Sequence, residues 1–568
     1  MTLPKITIML RDMRYAVCIC LILVITSGCS HTPDHARYIP KDATIVIGVD
    51  LKSLTKKVAW NALTGSDLFK KIQERLSGKP GTPDALADAG VDAMNTIYLY
   101  IKGDKRYRDN NRITALIPLS DAGKWENYIK TTFPNAQIVQ KNGRKEAKLT
   151  DNMYAGWNSK LLIIMNVVNI ADYTGSANTP NTAKNPILLP AEMDAAFSVM
   201  EENTLIGDAR FRKLQTEAHD IFFWTNYDQL MGQYMTQSND GGMMGGLSMA
   251  SNLWKNAALT AGFDFEKGKI AGTMHYYAAN DIRGICKEMG ATNADKDMID
   301  RLPSKNLDML ITMHLSTKGV RALLDKMGML GLMNVALSQQ GMDADYVLDA
   351  FTGDMAVALN DLTIKEVAMQ TPLNGEMMKS NRPDLNFLYV LKINKKQNFD
   401  KLVGIAQNAG LTQTGTNTYV LPYSLTDSIY LITNNTYALI TNKQANAVNY
   451  MQGTNKGQKL PANANVYGHP TAFYFDMQQI AKAINPSMMA ADGRDSAMIE
   501  ETKNLLDNMD IHGGAFTGDA FEYHIALNFM NKKENSLLQL MDFAMKVNDT
   551  KNRRAAQPAL TDSTVIAK

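Results

Sequence analysis

Hydrophobic and polar positions in this chain fall into a phrase that occurs twice. Residues 44–49 form an apolar run entered from Pro40 and read as a buried strand. Asp50 and Ser53 come next with helix-capping chemistry, and Leu51, Leu54 and Val58 then take helical spacing. The phrase returns over residues 302–324, where Pro303 stands 263 positions after Pro40.

The segments after the two phrases are also alike. In the first half, residues 66–76 predict a helix capped by Ser66, 95–102 a half-exposed strand, 112–119 a strand and 121–132 a helix. Asn142-Gly143 tolerates the positive φ of a tight turn and predicts a hairpin, and 161–168 reads as a buried strand. In the second half, 387–393 with a helix from Gln397 answers 113–119 and its helix, which sets Trp125 on Phe399, 274 positions on. Asn166 falls on Asn442 at 276, and Phe223 on Phe473 at only 250. The drop predicts an insertion in the first half, placed at the Gly/Asn/Pro-rich residues 175–190. Hairpin 263–277 then answers 515–529, and the shared order predicts an internal repeat.

Strands joined by hairpins beside strands joined by helices predict an α+β fold of two tandem similar halves, each a mainly antiparallel sheet with packed helices. The expected halves are residues 38–299 and 300–547. Residues 535–547 read as a closing amphipathic helix and 548–568 as a disordered tail. Trp125 with Phe399, and Phe223 with Phe473, are expected to anchor equivalent helix-on-sheet contacts.

Composition narrows the class. The 568 residues exceed what one hydrophobic core takes, and 45% hydrophobic with 20% charged residues suits a globular chain. Residues 1–28 hold Lys5, Arg11 and Arg14 against Asp12, so removing them from 59 basic and 57 acidic residues leaves 56 of each. A neutral chain without a dense basic run excludes the electrostatic footprint of a nucleic-acid binder.

The N-terminus changes the picture most. Met13-Arg14 precedes an apolar run over 15–25 and then Thr26-Ser27-Gly28-Cys29, which resembles a bacterial lipobox. Residues 1–28 are the expected lipoprotein signal peptide, with translation starting at Met1 or Met13. The run is short of the ~20 residues of a transmembrane helix. Cys29 is the expected lipidation site and 29–37 the tether. Cys18 and Cys20 leave with the signal, so Cys286 remains the one mature thiol and reads as a buried small hydrophobe. A lipobox followed by the IPxDAxxVxxxDLKSL phrase at residues 39–54 resembles a family of bacterial envelope lipoproteins known only as a domain of unknown function. The resemblance implies a cell-envelope location and brings no activity, cofactor or catalytic residues; the outer membrane is the expected membrane.

The remaining chemistry is sparse. The eight histidines show no HExxH or paired-ligand spacing and read as structural. The Met-rich residues 231–249 suggest a mobile apolar lid or a partner-facing loop more than a copper site. Residues 293–297 start like a calcium loop but lack its glycine and glutamate, and read as the linker between halves. Glu201-Glu202 and Glu500-Glu501 read as solvated faces. No catalytic, cofactor-binding or metal residue is expected. The reading is a membrane-anchored envelope lipoprotein that binds or scaffolds, with an envelope protein or glycan as partner. The alternative is an envelope hydrolase acting on glycan or peptide.

Overall fold

The computed structural model describes residues 33–58, 89–92, 94–103, 110–169, 189–235, 253–370, 377–422, 428–484 and 494–555. The signal segment, Cys29, the 66–76 helix, most of the 175–190 insertion and most of the Met-rich stretch lie outside them.

Pro40 leads into β1 (Ile45–Asp50), whose terminal carboxylate caps the Leu51–Lys57 helix by accepting from the Ser53 N–H at 3.0 Å. The first half continues with β2 (Thr96–Gly103), β3 (Asn110–Pro118), β4 (Ile138–Lys141), β5 (Arg144–Lys148), β6 (Met153–Trp157), β7 (Leu161–Asn169), β8 (Ile221–Asn226), β9 (Ala258–Glu266) and β10 (Lys269–Tyr277). The second half brings β11 (Leu307–His314), β12 (Phe351–Gln370), β13 (Met377–Ile393), β14 (Thr412–Gly415), β15 (Thr418–Val420), β16 (Tyr430–Thr433), β17 (Tyr437–Thr441), β18 (Thr471–Asp476), β19 (Leu506–Thr517) and β20 (Ala520–Phe529). The fold is α+β, and these strands form one 20-stranded sheet whose pairings are all antiparallel.

Strand order repeats. The first half pairs as β4-β5-β6-β7-β3-β2-β1-β8-β9-β10. The second pairs as β14-β15-β16-β17-β13-β12-β11-β18-β19-β20, the same order displaced by ten strands. β10 and β20 then pair with each other over nine residues, from Lys269↔Asn528 to Tyr277↔Ala520. Equivalent strands meeting antiparallel place a local two-fold axis at the junction. The two-residue turns at 267–268 and 518–519 set the offset there at 251, so Thr273 faces its own equivalent, His524.

Alternation sends side chains to two faces. Val49, Ile97, Leu99 and Ile117 pack under the Leu51–Lys57 and Ala122–Thr132 helices, where Trp125 and Ile129 are buried. Val46, Tyr98, Tyr100 and Phe222 pack on the opposite face against residues 36–43 and the Leu189–Phe197 and Ala209–Thr216 helices. The second half has the matching pair of cores, one with Phe399 and Val403 of the Lys396–Asn408 helix and one with Tyr450 and Tyr474.

The helix after each terminal hairpin crosses to the other half. Ile282 and Cys286, at the Arg283–Met289 helix, pack with Leu323, Met327, Phe516 and Phe521 of the second half. Leu537 and Met541 of the Ser536–Ala555 helix join the first-half core with Trp125 and Phe265. The exchange is reciprocal.

Several expectations change. The tether is shorter, because Asp34–Tyr38 is a 3-10 helix with His35 and Ala36 buried. The closing helix runs to Ala555, past the expected boundary at 547. Pro190 sits in a helix instead of a loop. Phe223 and Phe473 are only half-buried, and their neighbours Trp224 and Tyr474 are the buried aromatics. The Met-rich stretch, expected like residues 175–190 to be an addition outside the shared scaffold, adds little length, since β8 to β9 and β18 to β19 are spanned by nearly equal numbers of residues. Asn142 and Gly143 do take positive φ, 49° and 77°, in the β4–β5 turn.

Candidate functional site

The halves differ most between β7 and β8, where the first half carries the extra residues. Part of that segment folds as the Leu189–Phe197 helix, two 3-10 turns and the Ala209–Thr216 helix. It is stitched to the chain start by the Leu205 N–H donating to Ile39 O at 2.9 Å and the Lys41 N–H donating to Asn203 O at 2.8 Å. Between them opens a cleft of about 650 Å³, with Pro40, Lys41, Ser198, Met200, Arg210 and Trp224 in its lining.

Four of the cleft's charged groups form two ion pairs. Asp208 caps the Ala209–Thr216 helix and pairs with Arg210 at 2.7 Å. The Arg210 guanidinium lies over the rings of Trp224, at 5.3 Å, and Tyr277, at 5.6 Å, and donates to Asn256 O. Lys102 pairs with Asp42 at 2.8 Å on the other wall. Met200 stands 60% exposed at the rim. Such a wall offers fixed charges beside an apolar surface, a combination suited to orienting a ligand.

A second constellation crosses the sheet between the two cores. The register row Gly48–Phe222–Gly262–Thr273–His524–His512–Ala472 lies on one face. Its centre is polar. His469 and His512 have ring centroids 4.5 Å apart, and His512 and His524 5.5 Å. The His512 ring bonds through Nδ1 to Asp510 at 2.6 Å, Glu522 lies 3.3 Å from His524 and 3.7 Å from His275, and His219 bonds Asp264 at 2.8 Å. Beyond it Lys57 bridges Asp264 and the fully buried Asp220. Burial, with Lys213 nearby, lowers the pKa of His275, and burial, with His512 nearby, lowers that of His469.

Local spacing makes these histidines look solitary. Five of the eight converge, because strands far apart in sequence are neighbours in the sheet. A signal is present in the sequence: His219 and His469 are 250 positions apart and occupy equivalent places before β8 and β18. In the first half Gly262 leaves the space that the His219 ring occupies, a Cβ there falling 1.9 Å from its Cδ2, and in the second half His512 stands at the place of Gly262.

The other candidates stay apart. Cys286 is buried, which pushes its thiol up to about 11. Asp295 caps the Lys296–Asp300 helix, accepting from the Met298 N–H at 2.7 Å, so residues 293–297 anchor the second half's core. Glu201 and Glu202 are exposed. Among the described residues no group of three or more His, Cys, Asp or Glu is placed to hold a metal ion. The histidine–carboxylate bonds are His219–Asp264, His314–Asp354 and His512–Asp510, and no serine or cysteine side chain is hydrogen-bonded to these rings among the described residues. No helix among the described residues is long and apolar enough to cross a membrane.

The family model for the domain of unknown function DUF4836 matches residues 36–537, nearly the whole described chain. The chain belongs to this family. No curated protein matches its sequence significantly. Among solved structures, crystal form III of TP0453 is similar at 9% identity over 46% of this chain and 89% of that one, with a TM-score of 0.26. Crystal form IV is similar at 8% identity over 43% and 81%, with a TM-score of 0.25. Likenesses of that size carry no activity across to this DUF4836 protein.

Proposed function

We propose that this DUF4836 chain is a lipoprotein of a bacterial cell envelope, anchored by an acylated Cys29, that binds a ligand or partner in the first-half cleft without turning it over. The observation that supports the reading is the cleft itself. It lies where the two halves differ, on extra residues set upon a shared scaffold, and loops added to a rigid frame are where recognition accumulates. Two of its cations, Arg210 and Lys102, are held in place by Asp208 and Asp42 before any ligand arrives, which lowers the ordering cost of binding. An envelope protein or glycan suits a wall that mixes paired charges with Met200 and Trp224.

Two measurements test it. The parent should partition into detergent while Cys29→Ser stays aqueous or unprocessed, and an intact mass showing unacylated mature Cys29 overturns the anchor. Native mass spectrometry of protein drawn from its own membrane should show a bound species that Ser198→Trp, at the cleft rim, excludes. Identical spectra for parent and variant overturn the cleft.

A further inference from the structure

We propose that the histidine strip at the local two-fold is an acid-gated oxyanion site, closed to anions at neutral pH and taking a phosphate-, sulfate- or carboxylate-bearing ligand once its imidazoles are protonated. The inference is independent of the cleft. It rests on charge counting in a defined place. Four imidazoles, His275, His469, His512 and His524, share the strip with two carboxylates, Asp510 and Glu522. With the imidazoles neutral the strip carries −2, and with all four protonated +2, so protonation reverses its sign.

The groups packed around it do not cancel this reversal. Lys213 and Glu217, at the end of the Ala209–Thr216 helix, face His275 with opposite charges. His219, farther along, is bonded to Asp264, which also pairs with Lys57. The strip is reachable from solvent: the His524 side chain is 50% exposed and that of Glu522 38%. Asp510 is only 1% exposed and is already engaged by His512 Nδ1 and by the Asn465 backbone and side-chain N–H groups, so it holds the row from beneath. The His469 ring lies tilted against His512, 38° between the planes, and has no hydrogen-bond partner among the described residues, leaving its nitrogens for a ligand.

Protonation and anion uptake are then linked. Imidazolium charges on His469 and His512, whose ring centroids are 4.5 Å apart, repel each other. An anion beside the row that runs from His469 through His512 to His524 offsets that repulsion. Each process therefore promotes the other. The lowered pKa of His469 and His275 fits a strip that resists full protonation until an anion arrives.

Sulfate is the probe, because it stays doubly charged across the range and any pH effect must come from the protein. Titrated into the full chain and followed by the histidine ring proton resonances, it should saturate at pH 5.5 and bind at least about tenfold more weakly at pH 7.5. His469→Gln combined with His524→Gln should lose about tenfold at pH 5.5 while keeping the parent's melting temperature at pH 7.5. His314→Gln, off the strip, should bind as the parent does. Equal affinity at the two pH values, no saturation at pH 5.5, or parent-like affinity in the double variant overturns the proposal, and the first two do so even if the variants fail to fold.

Discussion

At the scale of single residues, His35 sets an acid limit on stability. Its ring is buried under the first-half core with Nε2 2.5 Å from Thr96 O, and burial lowers its pKa from 6.5 to about 4. The folded state therefore binds fewer protons than the unfolded chain between those values, so stability is full above pH 6.5 and falls as the pH drops toward 4. From pH 7 to 4.5 the loss through this one ring is about 2 kcal/mol, read as the difference in urea stability between parent and His35→Gln at the two pH values. Gly262 gives a second residue-scale test. Its missing side chain is the room for His219, so Gly262→Ala should cost about 2 kcal/mol by overpacking. Adding His219→Ala should return part of that loss; strictly additive losses would show that the two positions do not share the space.

At the scale of elements, the equivalence of the halves has energetic content. Trp125 and Phe399 are 6% and 5% exposed and clamp corresponding helices on corresponding strands. Truncating either to Ala should cost about 3 to 5 kcal/mol, and an unchanged melting temperature for either variant would remove the claim of equivalent roles. These elements are legible in the sequence because the period of apolar positions and the caps at Asp50, Asp121 and Ser316 act locally. The same locality explains the errors. Phe223 and Trp224 are both aromatic in one strand, and only the register of β8 with β1 decides that Trp224, not Phe223, faces the buried core. The histidine strip is only partly legible for a like reason: the repeat offset relates His219 to His469, but His275 joins His524 only through β10–β20 pairing. No local spacing announces a contact made across 250 residues.

At the scale of the molecule, the crossed helices make each half depend on the other. The Ser536–Ala555 helix completes a first-half core, and the Arg283–Met289 helix packs against second-half residues. Truncation after Asn531 should therefore loosen the first half. Hydrogen exchange should speed up in residues 45–57 and 122–132, with the second-half core around Tyr450 and Tyr474 much less affected; faster exchange confined to the second half would contradict the crossed packing. The sequence announces two halves but not their dependence, because a closing amphipathic helix shows that it has an apolar face and not whose core receives it.

That crossing also sets an order of events in biosynthesis. The strand that opens the first half is made within the first fifty residues, yet the core above it stays incomplete until Leu537 and Met541 have been synthesised. A chain that folds domain by domain as it emerges would finish its N-terminal unit early. This one must hold Val49, Leu51 and Trp125 partly uncovered while some four hundred further residues appear. A chain that ends before the Ser536–Ala555 helix is therefore expected to leave these apolar residues uncovered and its N-terminal half open to proteolysis.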